Sequence, residues 1–388
     1  MNNILQDLNK LNSCTLLTTG RTGSDFLQSL LDSHPQVLTF NGILDFDTFW
    51  KQSKCVQSQN IDLSDFIYEF IGRYIEKFKS KYDINERKDQ LGISYDQSLD
   101  IDIQQFKKYF LEIMLDGEIN SKNCLLAIYG AYAMTLNQDI NKKKLFFHHI
   151  HHHTLLENYL NDFPDSKIIS MTRDPRANFV SGYFNRNKYY PDSMGGAQQY
   201  FYIKRILYDS SVLEKFDNQY IGVRIEDLGS KKTITNLAKW LDINYESSME
   251  ISSWGGLIWN GDRVSTIKRS GTGFSKRMLE NNWDKILTWR DKYTLNFLMN
   301  NRLKHYKYQY NKPTFISYFI LPLFCFLPMS YEKKIFSVKY IYKLFKEKKI
   351  KLLIINYISF IKRVKLFLRF YLLTFRNKPF NCFYLLDE

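Results

Sequence analysis

The chain has 388 residues, of which 44% are hydrophobic and 24% are charged, so it is able to form a buried core and is not disordered as a whole. Its five cysteines are scattered without a close pair, which argues against a disulfide framework or a thiolate zinc site and favours a reducing compartment. The net charge is +14, and such a basic balance predicts anionic partners. The N-terminal residues lack the long apolar stretch of a secretory signal.

The N-terminal half begins with a strand, a glycine-containing loop and a helix. Residues 14–19 (CTLLTT) predict a short buried strand, and apolar residues recur at helical spacing from Phe26 to Leu31. The following segment, about residues 45–140, is mixed and largely helical in pattern. We interpret it as a helical insertion that forms the wall of a substrate cleft.

Strands and helices alternate in the second half of the chain. The sequence predicts strands at 142–153, 167–172 and 220–225, each followed by a helix. Before the second of these helices, Asp174 is a candidate N-cap and Pro175 a candidate first helical residue. This alternation predicts an α/β fold with a parallel sheet covered on both faces, and ligands of such sheets bind at the carboxyl ends of the strands.

The first candidate anion site is the loop 18–25, which leaves the first strand and enters the first helix. Its glycines let the backbone approach a ligand closely, and the helix start offers unpaired N–H donors and the positive end of a dipole. Arg21 adds a fixed positive charge, and Thr22 and Ser24 add hydroxyl donors. Taken alone, the pattern is equally compatible with an ordinary glycine-containing turn.

The second candidate site pairs Arg173, at the carboxyl end of a predicted strand, with Ser181 in the following helix. The arginine is able to bind a phosphate bidentately, although a surface arginine near a helix cap is the more common arrangement. Two such loops on neighbouring strands predict a ligand with two separate phosphates. A nucleotide loop of the Walker type needs Gly-Lys-Ser/Thr, which this loop lacks, and this weakens a kinase or NTPase interpretation.

At these residues the chain resembles the sulfotransferase family, in particular its carbohydrate and bacterial branches. TTGRTGSDFLQSLLDSHPQV is similar to the family's 5′-phosphosulfate loop, and SMTRDPRANFVSGY is similar to its 3′-phosphate motif. VRIEDL and KRSGTGFSKRMLENNWDKIL resemble later and weaker motifs of the family. The resemblance covers roughly residues 14–310 and implies a three-layer, P-loop-like fold with a central parallel sheet.

The resemblance also implies a ligand and roles for individual residues. The expected co-substrate is 3′-phosphoadenosine 5′-phosphosulfate (PAPS), no metal is expected, and the expected activity is transfer of a sulfuryl group to an acceptor hydroxyl. Arg21 is expected to contact the phosphosulfate and to take part in catalysis. The residues expected to bind PAPS are Arg21, Thr22, Gly23, Ser24, Asp25, Phe26, Arg173, Ser181, Arg269 and Gly271.

Three places depart from the family pattern. Asp25 stands where the family often has a hydroxyl residue, and a carboxylate there repels a phosphosulfate unless it turns away. Ile225 replaces a tyrosine on the adenine side. Asn41 and Gly42 stand where the carbohydrate and tyrosylprotein branches carry a glutamate. These departures keep a non-catalytic protein that retains the fold among the alternatives.

The transfer requires a base that removes the proton of the acceptor hydroxyl, and imidazole has a suitable pKa near neutrality. Five of the seven histidines lie in residues 148–153. Cytosolic sulfotransferases carry a catalytic histidine on the strand before the 3′-phosphate motif, and the spacing to Arg173 places it at His151. Asp45 and Asp47 are rival bases. Structural or solvated histidines are an equal alternative, and a metal site is a minor one.

The C-terminal tail is basic and apolar. From Pro313 onward it carries 14 Lys/Arg against 4 Asp/Glu, interleaved with long apolar runs. Residues 315–329 are apolar but too short for a membrane span, which needs about 20 residues. Basic residues recur at helical spacing further on, which predicts interfacial helices on an anionic membrane. A helical lid packed on the core is the alternative, and the high apolar content disfavours nucleic acid as the partner.

Together these patterns predict a sulfotransferase domain at 1–312, which includes the helical insertion, and a basic, apolar helical tail at 313–388 that associates with a membrane. The expected acceptor is a hydroxyl of a glycan or lipid-linked saccharide, and the expected location is the cytoplasm, at the periphery of the membrane. A nucleotide-dependent kinase and a non-catalytic membrane adaptor are the alternatives. The sequence names neither the acceptor nor the oligomeric state.

Overall fold

A parallel β-sheet forms the centre of the fold. The structure, a computed structural model, describes residues 4–18, 20–58, 60–82, 87–151, 155–189, 196–208, 220–261, 273–275, 279, 283–376 and 384–385. The strands are β1 (Asn12–Thr18), β2 (Val37–Leu38), β3 (Leu145–His149), β4 (Lys167–Thr172), β5 (Tyr220–Arg224), β6 (Ser253–Trp254), β7 (Leu257–Ile258) and β8 (Tyr384–Leu385). Six of them pair in parallel in the order β2-β3-β1-β4-β5-β8, and β6 and β7 form a separate antiparallel pair.

Helices cover both faces of the sheet and form the insertion and the tail. The helices of the described residues are α1 (Ile4–Asn9), α2 (Ser24–Leu31), α3 (Phe46–Gln52), α4 (Lys54–Gln57), α5 (Leu63–Arg73), α6 (Ile75–Phe78), α7 (Ile103–Met114), α8 (Ser121–Thr135), α9 (Leu156–Asp162), α10 (Pro175–Tyr189), α11 (Gly196–Tyr208), α12 (Lys231–Trp240), α13 (Trp283–Ile286), α14 (Trp289–Leu298), α15 (Asn300–His305), α16 (Phe315–Phe326), α17 (Val338–Lys346) and α18 (Ile350–Phe375).

Successive residues of each strand face opposite hydrophobic cores, because side chains alternate across a strand. Leu17 of β1 belongs to a core shared with Phe66 of α5 and Phe106 of α7. Its neighbour Leu16 belongs to a second core, shared with Leu27 of α2 and with α12. Strands buried on both faces read as continuous apolar runs, which is why they stand out in the sequence. The predicted α/β fold with a central parallel sheet is confirmed.

The segment between β2 and β3 is helical, as its aromatic spacing predicts. Helices α3 to α8 lie there, and five of them begin at a polar residue whose side chain accepts a hydrogen bond from the first turn: Asp45, Ser53, Asp62, Asp102 and Asn120. Their apolar faces meet around Phe40, whose ring contacts that of Tyr132 at a centroid distance of 4.6 Å. The helices therefore pack on one face of the sheet through an aromatic core. The division into domains at residue 312 stays a prediction.

The strand expected over 142–153 is shorter than its sequence pattern indicates. It spans Leu145–His149, and His151 lies in the bend that follows. The predicted strand is therefore wrong beyond His149. The reason is register: β3 pairs with β1 only as far as Leu16, so no further ladder extends the strand.

The tail folds against the rest of the protein. Helices α16 and α18 contribute Leu321 and Phe367 to a third core that includes Leu295 of α14. Arg363 of α18 forms a buried ion pair with Glu332, at 2.7 Å between Nη2 and Oε2. No helix in the described part of the chain is long and apolar enough to cross a membrane.

Candidate functional site

The loop between β1 and α2 makes a tight turn at the carboxyl end of the central strand. Gly20, Arg21 and Gly23 all have positive φ, of 87°, 59° and 89°. The hydroxyl of Thr18 accepts a hydrogen bond from the Gly20 amide at 2.9 Å and lies 2.6 Å from the hydroxyl of Thr22. These contacts within the loop fix the conformation of the turn.

Helix α2 begins directly after this turn, and its first amides have no side-chain cap. Gly23 occupies the N-cap position, and glycine offers no side chain to accept from the amides of the first turn. Unpaired amides and the positive end of the helix dipole form a site for an anion. Ser24 is largely buried at the first position of the helix. The loop therefore presents backbone donors toward the space above β1.

Arg21, Ser181 and Arg173 come together above β1 and β4. The Nε of Arg21 lies 3.5 Å from the Oγ of Ser181, which is 160 residues away in the chain. Burial lowers the pKa of Arg173, and the positive charge of Arg21 adds to this effect. The two guanidinium groups are thus close enough to repel each other. An anion with negative charge at two points offsets that repulsion.

An acidic group, Glu226, and a phenolic group, Tyr308, lie near Arg173 and favour its charged form. Glu226, at the end of β5, accepts a hydrogen bond from the Asp174 amide at 3.3 Å and one from the Tyr308 hydroxyl at 3.1 Å. Burial raises the pKa of Glu226, and the attraction of Arg173 opposes this effect. Asp174 itself accepts from the amide of Arg176 at the start of α10, as expected of a helix cap. Strands β4 and β5 are thereby tied together beside Arg173.

The three described histidines of residues 148–151 occupy different environments. His148 is buried against Tyr129, whose hydroxyl lies 2.8 Å from its Nδ1, and burial lowers the pKa of His148 to about 3. His149 is also fully buried, with its Nδ1 2.8 Å from the Oε1 of Gln28. His151 is partly exposed, and its Nε2 lies 3.5 Å from the point where a Cβ on Gly20 would be. Of these three, His151 is the imidazole that lies against the loop of residues 18–25, which we name the donor loop.

Several other sequence-predicted residues are placed less directly. The carboxylate of Asp25 lies 4.0 Å from Nδ1 of His149. The Phe26 ring packs in a core against Phe274, so its side chain is not at the site and only its backbone amide is available to a ligand. Arg269 and Gly271 lie outside the described residues.

The rival bases lie at the start of α3. Asp45 caps that helix and accepts from the amide of Thr48 at 3.3 Å, so its carboxylate has a structural partner. Asp47 is half-buried, and burial raises its pKa to about 6, with repulsion from Asp162 and Asp45 contributing. In the described part of the chain, no group of three or more histidine, cysteine, aspartate or glutamate side chains is placed to hold a metal ion.

Two contributions to the site were not found from the sequence. Arg205 of α11 donates hydrogen bonds to the backbone carbonyls of Thr18 and His151, at 3.4 and 3.3 Å. It joins the donor loop to the segment that carries the candidate base. The Oε1 of Gln28 in α2 lies 2.8 Å from Nδ1 of His149 and fixes the orientation of that ring. Arg205 lies in no motif, and Gln28 lies within the 5′-phosphosulfate motif without a role of its own there, so only the three-dimensional fold shows that they act at the site.

Fold and site together define an α/β protein with backbone and guanidinium donors at the carboxyl ends of neighbouring parallel strands. A model described as the sulfotransferase family matches residues 16–247, which is more than half of the chain. The chain belongs to the sulfotransferase family, whose members transfer a sulfuryl group to a hydroxyl acceptor. The resemblance predicted from the loop motifs is thereby confirmed.

Solved structures of low identity are similar to this chain. The sulfotransferase domain of the olefin synthase from Synechococcus PCC 7002 is 14% identical, with a TM-score of 0.40, and the match covers 72% of this chain and 90% of that one. The sulfotransferase domain of the curacin biosynthetic pathway is 17% identical, with a TM-score of 0.35, covering 62% and 77%. Sulfotransferase STF9 from Mycobacterium avium is 12% identical, with a TM-score of 0.34, covering 64% and 68%. A search of curated proteins found no match.

Proposed function

We propose that the protein transfers the sulfuryl group of PAPS to a hydroxyl of a glycan or lipid-linked saccharide. The observation that carries this proposal is the approach of Arg21 to Ser181, at 3.5 Å, beside Arg173. PAPS has a phosphosulfate at its 5′ end and a phosphate at its 3′ position. The turn above β1 fits the first group, and Arg173 with Ser181 fits the second.

In the proposed step the acceptor oxygen attacks the sulfur atom in line with the bond to the leaving phosphate. The S–O bond of the phosphosulfate breaks as the new O–S bond forms, and its electron pair leaves with the 5′-phosphate. The hydroxyl proton passes to the imidazole of His151. Arg21 and the amides at the start of α2 stabilise the negative charge that develops on the leaving group.

The donor assignment is tested by nucleotide binding. Adenosine 3′,5′-bisphosphate and AMP differ only in the 3′-phosphate, and calorimetric titration gives both dissociation constants. We expect the bisphosphate to bind more tightly, and Arg173→Met to weaken its binding about 10- to 100-fold, because hydrogen bonds to a charged group contribute about 1.5–3 kcal/mol. AMP binding is expected to change little. Equal affinity for the two nucleotides in the wild-type protein contradicts the assignment.

The same titration separates the alternatives. Tighter, magnesium-dependent binding of ATP favours a nucleotide-dependent kinase. No binding of any of the three nucleotides favours a non-catalytic adaptor that retains the fold. Preference for the 3′-phosphorylated nucleotide favours a sulfotransferase.

The base is tested by turnover with a labelled sulfuryl donor over a panel of glycan acceptors. We expect His151→Ala to lower kcat by about 10²- to 10⁴-fold, the usual contribution of a general base, with bisphosphate affinity unchanged. His305→Ala, at the end of α15, is the matched histidine control. A near-wild-type rate for His151→Ala removes this histidine from the mechanism and leaves Asp47 as the first rival.

We also propose that the tail helices lie on an anionic membrane surface, which places the protein in the cytoplasm at the membrane periphery. The outward stripe of α18 carries isoleucines where a helix in water carries polar residues, and α16 exposes phenylalanine and leucine. The apolar residues are Ile350, Ile354, Ile358, Ile361, Phe315, Phe319, Leu323 and Phe326, each at least 45% exposed. Exposed basic side chains accompany them: Lys339, Lys343, Lys346, Lys351, Lys362, Lys365 and Arg369. Apolar residues with a basic border are typical of interfacial helices.

Point substitutions test the membrane proposal better than a deletion, because removal of the tail exposes the apolar residues of α14 that pack against it in a shared core. We expect Ile354→Gln with Ile358→Gln to reduce sedimentation with vesicles of phosphatidylcholine and phosphatidylglycerol by roughly tenfold or more. Ile93→Gln is the matched control, since Ile93 is 77% exposed but lies in the insertion. Equal sedimentation of all three proteins, or no preference for anionic vesicles, contradicts the proposal.

A further inference from the structure

A second group of cations lies beside the donor loop, on the opposite side from Arg173. Gly42 follows β2 with a φ of 79°, and a Cβ at this glycine would lie 2.7 Å from Nη2 of Arg87 and 3.5 Å from Nζ of Lys77. Two positive charges therefore converge on the backbone of Gly42. We name this place the Gly42 pocket, formed by Asn41, Gly42, Lys77, Arg87 and His149.

The pocket adjoins the carboxyl end of β3. The amide of Leu44, two residues beyond Gly42, donates to the carbonyl of His149 at 3.3 Å. The strand order places β3 next to β1 on the side away from β4. A PAPS molecule that extends from Arg173 to the turn above β1 thus presents its sulfuryl group toward β3. The Gly42 pocket lies where the acceptor approaches.

Two buried polar atoms in the pocket lack a hydrogen-bond partner in the part of the chain that the structure describes. They are Oδ1 of Asn41 and Nε2 of His149, both on fully buried side chains. Asn41 uses its Nδ2 to donate to the Lys77 carbonyl at 2.8 Å, which fixes the orientation of the amide. Buried polar groups are nearly always paired, so such atoms indicate a missing polar ligand or water.

The tautomer of His149 follows from its neighbour. Gln28 donates through Nε2 to the carbonyl of Phe40 at 2.8 Å, so its Oε1 is the atom that faces His149. Nδ1 of His149 therefore carries the proton, and Nε2 is an acceptor. Burial holds the pKa of His149 well below its usual value, and the charges of His151, Lys77 and Arg87 add to this effect. The pocket thus combines two cations with two neutral hydrogen-bond acceptors.

Among the described carboxylates, Asp25 lies 4.0 Å from Nδ1 of His149 and Asp32 is attracted by Arg87, so Lys77 is the cation of the pocket without a described acidic partner. Lys77 is half-buried and forms no ion pair with any carboxylate that the structure describes. Arg87 is buried and stacks on Trp254 at 4.0 Å from the ring centroid, a position that holds its guanidinium in place. Asn41 and Gly42 themselves carry no charge. A ligand that enters here meets positive charge first and hydrogen-bond acceptors beside it.

We propose that the Gly42 pocket binds a carboxylate or similar oxyanion of the acceptor, so that the enzyme selects acidic saccharides. Lys77 and Arg87 bind the anion, and Asn41 and Nε2 of His149 accept from neighbouring sugar hydroxyls. Lys77 is then a specificity-determining residue. This inference rests on the proposed sulfotransfer, because it assumes that the acceptor approaches from the side of β3.

The test uses cellotetraose and its C6-oxidised counterpart, in which a carboxylate replaces each primary alcohol and which carries four glucuronates. Protein saturated with adenosine 3′,5′-bisphosphate is titrated with each, and transfer is measured with a labelled sulfuryl donor. We expect the oxidised tetramer to bind at least tenfold more tightly. We expect Lys77→Gln to remove most of that preference and Lys77→Arg to retain it. Lys79→Gln is the matched control, because Lys79 pairs with Asp100 at 2.8 Å.

The outcomes separate this inference from the proposed function. Failure of the wild-type protein to bind the bisphosphate defeats the proposed function itself. Bisphosphate binding with equal or no affinity for the two tetramers overturns the acidic-saccharide inference alone. An equal loss of affinity for both tetramers in Lys77→Gln also overturns that inference. In that case Lys77 contacts the sulfuryl group or stabilises the fold and does not bind the carboxylate of the acceptor. Loss of the preference in Lys79→Gln has the same consequence.

Discussion

Two glycines of the donor loop have nearly the same backbone conformation but different surroundings, and this difference yields a quantitative prediction. The φ values of Gly20 and Gly23 are 87° and 89°. A Cβ on Gly20 would meet His151 at 3.5 Å, an ordinary contact, whereas a Cβ on Gly23 would lie 2.4 Å from Cδ1 and 2.8 Å from Cγ1 of Ile225. Alanine at Gly20 adds backbone strain alone, and alanine at Gly23 adds strain and overlap.

The two effects have separate magnitudes. A left-handed conformation costs a residue with a Cβ about 1–2 kcal/mol, and overpacking of a tight core adds about 1–3 kcal/mol. We expect Gly20→Ala to lower the free energy of unfolding by about 1–2 kcal/mol and Gly23→Ala by about 2–5 kcal/mol. Because Gly23 is the N-cap of α2, relief of the overlap by movement of that helix also weakens bisphosphate binding.

Urea denaturation and calorimetric titration of the bisphosphate measure both effects. A double-mutant cycle with Ile225→Ala isolates the overlap, since that change removes Cδ1 and Cγ1 and leaves only the Cβ contact of 3.3 Å. We expect the double variant to be more stable than the sum of the single losses by about 1–3 kcal/mol. Equal losses for the two glycine variants, or strict additivity with Ile225→Ala, refute the reasoning.

Two further predictions concern buried charges. Arg363→Met leaves the Glu332 carboxylate buried without its arginine partner, so we expect the free energy of unfolding, measured by urea denaturation at pH 8, to fall by about 3–5 kcal/mol. Burial raises the pKa of Glu332, and protonation removes the unpaired charge, so the loss should become smaller as the pH is lowered from 8, and a loss that does not change with pH contradicts the argument. Burial lowers the pKa of Lys143 to about 8, below its unfolded value of 10.5, so the folded state binds fewer protons between these values and stability should rise with pH there. Between pH 8 and pH 9.5 the free energy of unfolding of the wild-type protein should rise by about 2 kcal/mol relative to that of Lys143→Met. A difference between the two proteins that stays constant over this range contradicts the lowered pKa of Lys143.

Much of the fold was predictable because it depends on local pattern. Strands β1, β4 and β5 are buried on both faces, so each is a short apolar run that ends in a polar loop. Pro175 begins α10 as expected, because its ring and missing amide suit the first turn of a helix. The end of β3 was not predictable, because it depends on how far the ladder with β1 extends and not on the histidines themselves.

The sequence by itself indicated the kind of ligand proposed for this protein, since a glycine turn with Arg21 before one helix and an arginine–serine pair before another have the chemistry of phosphate-binding groups. Only the tertiary structure decided that these groups meet. Ser181 approaches Arg21 across 160 residues because β1 and β4 are neighbours in the sheet, a long-range pairing that no local spacing encodes. The cations at Gly42 have the same origin, because α6 and the segment carrying Arg87 reach that glycine only when the helical insertion packs on the sheet.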